Sequence, residues 1–508
     1  MPIVNSIVSW IMKQRIHQIE LFVKYPCEVQ EDWFKKLIES GRFSEWGRVH
    51  DYAGINNLAD FRSRVPIQDY ESLKPWINRL RSGEQRLLWN TETKWFAKSS
   101  GTTSDKSKFI PVTEESLEEC HFKGGKDLLS IYCNNHPDTG LFNGKLLSLG
   151  GSHEAGSYDN DTFYGDLSAI LIQNLPLWVQ LFRTPDISIA LMGEWESKIE
   201  QIALTTINED VTNIAGVPSW TLVLLNRILE ITGKNNISEV WPNLELFAHG
   251  AVSFDPYRKQ FNDLIPNPRM NFYETYNASE GFFGIQDRHG SDEMLLMLDY
   301  GIFYEFIPME EIESENPKVL TLQEVETGRN YAVVISTNGG LWRYKIGDTV
   351  TFTSKFPFRI RITGRTAHFI NAFGEELIVD NAEKAVSAAA LRTSCVVKDY
   401  TACPVYHSGK ISGAHEWLIE FETPPLNLDQ FVSVLDEELK TRNSDYEAKR
   451  HKNMVLGMPI VRPLVTGTFY GWMKSREKLG GQHKVPRLSN NRTIVESILS
   501  TVNQLQSI

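Results

Sequence analysis

The sequence predicts an α/β protein. A large N-terminal α/β domain with a β-rich lobe spans residues 1–362, and a smaller, mobile C-terminal α+β domain spans 363–508. Three observations carry this. Through the middle of the chain, short apolar runs alternate with helical segments and end on glycines. Residues 146–149 precede Gly150-Gly151, 244–247 precede His249-Gly250, and 333–336 precede Asn338-Gly339-Gly340. Strands that end in glycine turns are where α/β folds build ligand sites. From 294 to 350 consecutive strands take over, including 301–308 and 331–336. After Thr363-Gly364-Arg365 the pattern changes again, to a strand over 417–421 and helices over 381–391 and 428–442.

The N-terminal layer is predicted helical. Ile7, Ile11, Ile16, Ile19 and Val23 fall near helical spacing, which predicts one amphipathic helix over 3–23. A second helix is predicted over 29–39, closed by Ser40-Gly41, and a third over 69–81 with a break or kink at Pro75.

Composition narrows the function classes. Of 508 residues, 41% are apolar and 23% charged, an ordinary globular balance that excludes wholesale disorder and fibrous architecture. With 52 Lys and Arg against 64 Asp and Glu, the net charge is −12, which argues against a general binder of nucleic acid or anionic membrane. A local basic pocket for a phosphorylated ligand stays open. The five cysteines form no CxxC pair, so a reducing, cytoplasmic setting is expected. No signal peptide is read at the N-terminus, where the apolar run 7–12 soon meets Lys13, Arg15 and His17, and no transmembrane helix is expected.

Three segments carry candidate chemistry. In Ser99-Ser100-Gly101-Thr102-Thr103-Ser104-Asp105-Lys106-Ser107-Lys108, small hydroxyl residues flank a glycine. Such a loop lets the backbone approach a phosphate, with hydroxyl and N–H donors and a lysine charge at hand. It is not a Walker loop, and the same composition suits a polar connection between Phe96 and Phe109. In Tyr276-Asn277-Ala278-Ser279-Glu280-Gly281, an aromatic ring can stack on a purine and a carboxylate four residues on can hold Mg²⁺. A turn with a solvated glutamate reads equally from this segment alone. In Trp342-Arg343-Tyr344-Lys345-Ile346-Gly347-Asp348, an aspartate after a glycine can accept ribose hydroxyls or cap a turn.

In this order, followed by Thr363-Gly364-Arg365, the segments resemble the adenylate-forming enzymes. Within that superfamily the chain is more similar to the Gretchen Hagen family of acyl acid amido synthetases, from about residue 28 to 490. Trp241-Pro242-Asn243 ahead of Gly250-Ala251, residues 272–284, Tyr304-Glu305-Phe306-Ile307-Pro308 and Gln482-His483-Lys484-Val485-Pro486-Arg487 complete the likeness. Two departures stand out. Ser104-Asp105 replaces a further glycine after the SSGT core of plant members, and Ala278 replaces a second serine. The chain is also shorter than plant members, as bacterial-type members are.

The resemblance implies the adenylate-forming fold and an ATP- and Mg²⁺-dependent ligase, with a carboxylic acid and an amino acid as substrates. It implies that Ser99, Ser100, Gly101, Thr102, Thr103 and Lys108 cradle phosphates. Tyr276 and Gly250-Ala251 would sandwich adenine, Asp348 would bind ribose with Arg365 nearby, and Glu280 would hold Mg²⁺. Lys484 would reach the α-phosphate and the carboxylate, and the C-terminal domain would swing about Arg365-Thr366. Two other outcomes remain: an acyl-CoA ligase sharing the adenylation step, and a nucleotide-binding protein without catalysis, against which the joint presence of Lys484, Glu280 and Asp348 argues. His121, His153 and His249 are read as structural, with only His249 beside a proposed ligand turn. Lys123 and Lys126 are read as a solvated helix face, though family members place acyl-pocket residues there. Trp178, Trp195, Trp220 and Trp241 are read as core or pocket wall.

Overall fold

The structure is a computed structural model that describes residues 2–100, 107–150, 156–157, 161–252, 254–312, 314–365, 369–406, 412–476 and 485–506. By its contacts the chain divides into two compact units, one of Met1–Ser99 with Phe109–Thr366 and one of Ser100–Lys108 with Ala367–Ile508.

In the first unit the strands are, in chain order, β1 (Trp95–Ser100), β2 (Ser107–Val112), β3 (Lys145–Ser148), β4 (Gly156–Ser157), β5 (Phe163–Asp166), β6 (Arg183–Thr184), β7 (Val211–Ala215), β8 (Leu246–Gly250) and β9 (Asn271–Ala278). There follow β10 (Gly281–Ile285), β11 (Met294–Leu296), β12 (Ile302–Pro308), β13 (Asn330–Thr337), β14 (Tyr344–Lys355) and β15 (Phe358–Arg365). Eleven of them form one mixed sheet ordered β12-β13-β14-β15-β11-β10-β9-β8-β7-β3-β6, and a smaller sheet runs β2-β1-β5-β4. In the eleven-stranded sheet the run β6-β3-β7-β8-β9 is parallel, the register of doubly wound folds, and the remaining neighbours are antiparallel. Helices Trp195–Thr206 and Pro218–Thr232 link the parallel strands and bury Ile199, Ile202, Leu224, Leu225 and Ile228.

The N-terminal helices differ from their prediction in one instructive place. The expected single helix is two, Pro2–Gln14 and Ile16–Lys24, parted at Arg15. Arg15 is buried, and its guanidinium reaches Asp127 at 2.9 Å and Asp299 at 2.6 Å. A buried charge must be paired, and Arg15 meets both carboxylates at this junction, where its dihedrals stay helical (φ −67°, ψ −23°) but its N–H bonds the Met12 carbonyl three residues back. Helix Pro26–Gly41 buries Phe34, Leu37 and Ile38. Its Gln30 donates to the carbonyls of Leu298 and Ile302 and accepts from the Tyr304 N–H, all at 2.9 Å, which ties it to β12. Helix Tyr70–Arg81 runs unbroken through Pro75. An Asp69–Ser72 capping box secures its start, and buried Tyr70, Leu73, Ile77 and Leu80 hold one face, so packing outweighs one missing hydrogen bond.

The second unit holds a two-stranded sheet, β16 (Phe369–Ile370) with β17 (Leu377–Ile378). A three-stranded sheet runs β18 (Val396–Val405), β19 (Ala414–Thr423), β20 (Ile460–Leu464). Helices Val379–Arg392 and Leu428–Arg442 lie at the predicted places. Buried Asp436 takes hydrogen bonds from Arg450 and Tyr446, and buried His415 meets Glu375 at 2.7 Å. No described helix is long and apolar enough to cross a membrane.

Candidate active site

The parallel strands set the first part of the site. Gly250, at the C-terminal end of β8, pairs with Thr275 of β9. A Cβ on Gly250 would lie 2.5 Å from the Thr275 carbonyl oxygen, so only glycine lets the strands stay this close. The next residue, Ala251, has φ +69°, and the chain leaves the sheet there. Carboxyl ends of parallel strands are the ligand edge of α/β sheets, and Gly250-Ala251 sits on that edge.

Directly after Thr275 comes Tyr276. It is buried, its ring meets Phe283 edge-on at 4.8 Å, and its hydroxyl donates to Asp348 Oδ2 at 2.7 Å. Three strands separate β9 from β14 in the sheet order. In a flat sheet that is about 19 Å, more than a tyrosine and an aspartate span end to end. The sheet therefore curls, bringing the ligand edge of β9 to Asp348. Two residues, Ser279 and Glu280, turn β9 into β10, with Ala278 paired to Gly281, so Glu280 stands at a hairpin tip.

The opposite face of this hairpin is gripped by the helical segment 114–135. His121 Nδ1 lies 3.1 Å from Asn277 Oδ1, the Phe282 N–H donates to Cys120 Sγ at 3.1 Å, and Gly124 leaves room for the Phe282 ring. Residues 117–122 there form a π-helical turn, which carries Cys120 and His121 to the hairpin.

The first half of the Trp342–Asp348 motif is an anchor. Trp342 is buried and donates to the Leu88 carbonyl at 2.9 Å. Arg343, at φ +45°, places its guanidinium on Glu305 at 2.9 Å and donates to the Val65 carbonyl at 2.8 Å. Arg62 adds a second guanidinium to Glu305 at 2.8 Å. The second half presents Asp348, whose ladder partner is Arg365. Gly347 at φ +92° and Gly364 at φ +144° flank that pair.

The structure thus brings together Gly250, Ala251, Tyr276 and Asp348, with Glu280 on the same hairpin as Tyr276 and the Arg365 backbone beside Asp348. Ser99 is the last β1 residue that belongs to the first unit, next to Lys98, whose ladder partner is Asp166. Lys108 is partly exposed on β2 and belongs with the second unit, where the Ser107 hydroxyl lies 3.1 Å from that of Ser444. Gly101, Thr102, Thr103, Thr366 and Lys484 lie outside the described residues, as do the side chains of Ser100 and Arg365.

Of the three histidines singled out, the two described are buried. His249 is buried and stacked on Phe254 at 4.0 Å, and burial, with Arg258 nearby, pushes its pKa down to about 3. Burial pushes His121 down to about 4. Both are neutral at pH 7, so neither offers a cationic group. His153 lies outside the described residues. Lys123 pairs with Asp299 at 3.0 Å rather than facing solvent, while Lys126 is exposed. Trp195 and Trp220 stack at 3.8 Å, and Trp241 donates to the Thr206 carbonyl. The sequence reading missed the Glu305–Arg343 pair. The available signal was a glutamate within a strand, Ile302–Pro308, otherwise made of large apolar residues and all buried, where a carboxylate needs a partner.

The GH3 family N-terminal domain matches residues 15–270, its central domain 295–365 and its C-terminal domain 380–493. The chain belongs to the GH3 family. It is 23% identical over 549 residues to the indole-3-acetic acid-amido synthetase GH3.3 of Arabidopsis thaliana, covering 93% of this chain and 91% of that one. It is 24% identical to the jasmonoyl–L-amino acid synthetase GH3.5 of Oryza sativa subsp. japonica, covering 97% of both. Among solved structures it is similar to the GH3.15 acyl acid amido synthetase, with TM-score 0.60 at 17% identity over 96% of both chains. A 2-hydroxyisobutyryl-CoA ligase shares the fold with TM-score 0.54 at 12% identity, over 95% of this chain and 93% of that one. The fold of this GH3 member is therefore that of the adenylate-forming enzymes.

Buried Arg343 and buried His249 each have a measurable consequence for stability. Arg343→Ala leaves Glu305 buried with only its partly exposed partner Arg62. A loss of about 3–5 kcal/mol in unfolding free energy is expected, read as a lower denaturant midpoint. For His249 the folded pKa is depressed, so as pH falls below the unfolded value the unfolded chain gains a proton that the folded chain does not. The stability present above about pH 6.5 should be lost toward pH 3, by about 1.4 kcal/mol per pH unit for this one group. His249→Gln should flatten the acid limb of the stability curve by that slope, whereas an unchanged slope would place the titration elsewhere.

Proposed function

We propose that this GH3 member is an ATP-dependent ligase that joins a carboxylic acid to the amine of an amino acid through an acyl-adenylate. The observation that carries the reading is the Tyr276–Asp348 hydrogen bond at the ligand edge, beside Gly250-Ala251. It groups an aromatic face, a close backbone turn and a carboxylate, which suits a nucleoside, and relatives over nearly the whole chain are named indole-3-acetic acid-amido synthetase and jasmonoyl–L-amino acid synthetase.

In this reading Tyr276 and the Gly250-Ala251 turn bracket adenine, and Asp348 accepts the ribose hydroxyls with Arg365 alongside. Ser99, Ser100, Gly101, Thr102, Thr103 and Lys108 hold the phosphates. Glu280 suits a nucleotide-bound Mg²⁺, because that ion takes one or two carboxylates with phosphate oxygens and the hairpin tip presents one. The ion supplies charge neutralisation on the triphosphate. The acid's carboxylate attacks the α-phosphorus and pyrophosphate leaves, which brings one anion onto another. Lys484 offsets the charge that concentrates there. The amine then attacks the acyl carbonyl and AMP leaves.

The test is ATP–pyrophosphate exchange with a panel of carboxylic acids, followed by addition of amino acids or coenzyme A. Acid-dependent exchange with amide formation is the expected result, thioester formation would assign coenzyme A as acceptor, and no exchange with any acid would remove the ligase reading. Asp348→Ala should weaken ATP binding at least about tenfold, roughly 1.4 kcal/mol, by calorimetry. Lys484→Ala should slow adenylation by about 10²–10³ yet leave the reaction of supplied acyl-adenylate with amine near the wild-type rate. Equal loss in both half-reactions would give Lys484 a different role.

A further inference from the structure

Five arginines are buried among the described residues, and four of them meet a carboxylate. Arg15 bonds Asp127 at 2.9 Å, Arg343 bonds Glu305 at 2.9 Å, Arg359 bonds Asp287 at 2.6 Å and Arg450 bonds Asp436 at 2.5 Å. Arg183, on the edge strand β6 and 5% exposed, is the exception. Its Nη1 donates to the Ser148 hydroxyl at 3.1 Å and its Nε is buried without a partner. Among the described residues no carboxylate lies within ion-pair distance of it. Asp186 acts on it at longer range, and burial pushes its pKa down. A buried cation in this condition is costly unless an anion joins it.

The sheet beside Arg183 is paved with small side chains. Ser148 of β3, Ala215 of β7 and Ala248 of β8 stand in register, with Gly250 one step nearer the ligand edge. All four are partly exposed, whereas Leu147, Ile214, Phe247 and His249, which alternate with them onto the other face, are buried. The small-residue face is not bare. Tyr273, in the same register as Ala248, is buried, and its ring meets Tyr132 of the helix Lys123–Asn135 edge-on at 5.4 Å. Exposure of central-strand alanines beside such a cover marks a cleft, running from the Gly250-Ala251 turn across β7 and β3 to the Arg183 guanidinium.

We propose that Arg183 binds a second carboxylate of the acid substrate, at the far end of this cleft. The favoured acid is then dicarboxylic: one carboxylate is activated and the other stays ionised on the guanidinium. Ser148 stands two strand spacings from β8, about 10 Å, so several carbons separate the two groups. Nε and Nη2 form the planar fork that matches a carboxylate by two parallel bonds. The proposal rests on the ligase reading.

The test is ATP–pyrophosphate exchange by the full chain with monocarboxylic and α,ω-dicarboxylic acids of matched, increasing length, followed by amide formation with amino acids. The wild type is expected to prefer the longer diacids. Arg183→Met should lower kcat/KM for them about 10- to 100-fold and leave the matched monoacids and the thermal midpoint near wild type. A merely structural arginine would lower the midpoint and slow both classes alike, which overturns the proposal. Wild-type exchange without preference for diacids also overturns it, while keeping the ligase reading. An effect confined to the KM of the amino acid puts that substrate's carboxylate at Arg183 instead and overturns it too. No exchange with any acid removes the ligase reading and the proposal with it. Should Arg183→Met not fold, Arg183→Lys decides the matter. A point charge then replaces the fork and the diacid preference falls about tenfold, whereas an unchanged preference sinks the proposal.

Discussion

A glutamate lies in the middle of a fully buried strand, and much of the candidate site hangs on how it is neutralised. Glu305 sits on β12 among Ile302, Phe303, Phe306 and Ile307, where a lone carboxylate is untenable. Arg343 answers it from the approach to β14, at the cost of a positive φ, and Arg62 closes the other oxygen from the N-terminal layer. That pairing fixes where β14 begins. Trp342, wedged against Tyr52 with its ring at 5.0 Å and Gly41 beneath it, fixes the direction of entry. Asp348 follows five residues after Arg343, so its position is inherited from a charge pair in the core. Buried ion pairs contribute little net stability compared with apolar packing, but they do specify an arrangement, because removing one partner strands the other.

The sequence marked candidate residues and left their supports hidden, for a physical reason. Tyr276, Glu280 and Asp348 sit in short runs whose residue types and glycine flanks draw attention to them as candidates. Gly250 was readable as a turn after a strand, and the structure adds that a Cβ there would collide with the next strand's carbonyl. By contrast, Glu305 and Arg343 are 38 residues apart, and Arg15 and Asp127 are 112 apart. Periodicity carries no trace of such distances. This is why one N-terminal helix was expected where Arg15 divides two. Pro75 shows the converse: a local rule predicts a break or a kink, and four buried side chains on one helix face keep the helix unbroken. Lys123 looked solvated for the same reason as Arg15 looked ordinary, since its partner Asp299 is remote in the chain.

Sheet curvature is the remaining link between the two halves of the site, and its origin is visible in the registers. The parallel pairings β7–β8 and β8–β9 run without a register shift. On the antiparallel side shifts occur repeatedly: between Phe282 and Gly284 in β10, between Ala332 and Val334 in β13, and twice along β14 against β15. Each such irregularity adds local twist and bends the strand that carries it. Their placement matters more than their number. One lies in β10 beside the Tyr276 strand, and another falls between Thr349 and Val350, one residue past Asp348. The bends therefore sit at both ends of the path across the sheet from β9 to β14. A regular ladder would hold the tyrosine and the aspartate about 19 Å apart; bulges at these two points let one hydrogen bond join them. The β-rich lobe is thus part of the site's geometry, because its irregular strands return Asp348 to the ligand edge that the parallel strands create.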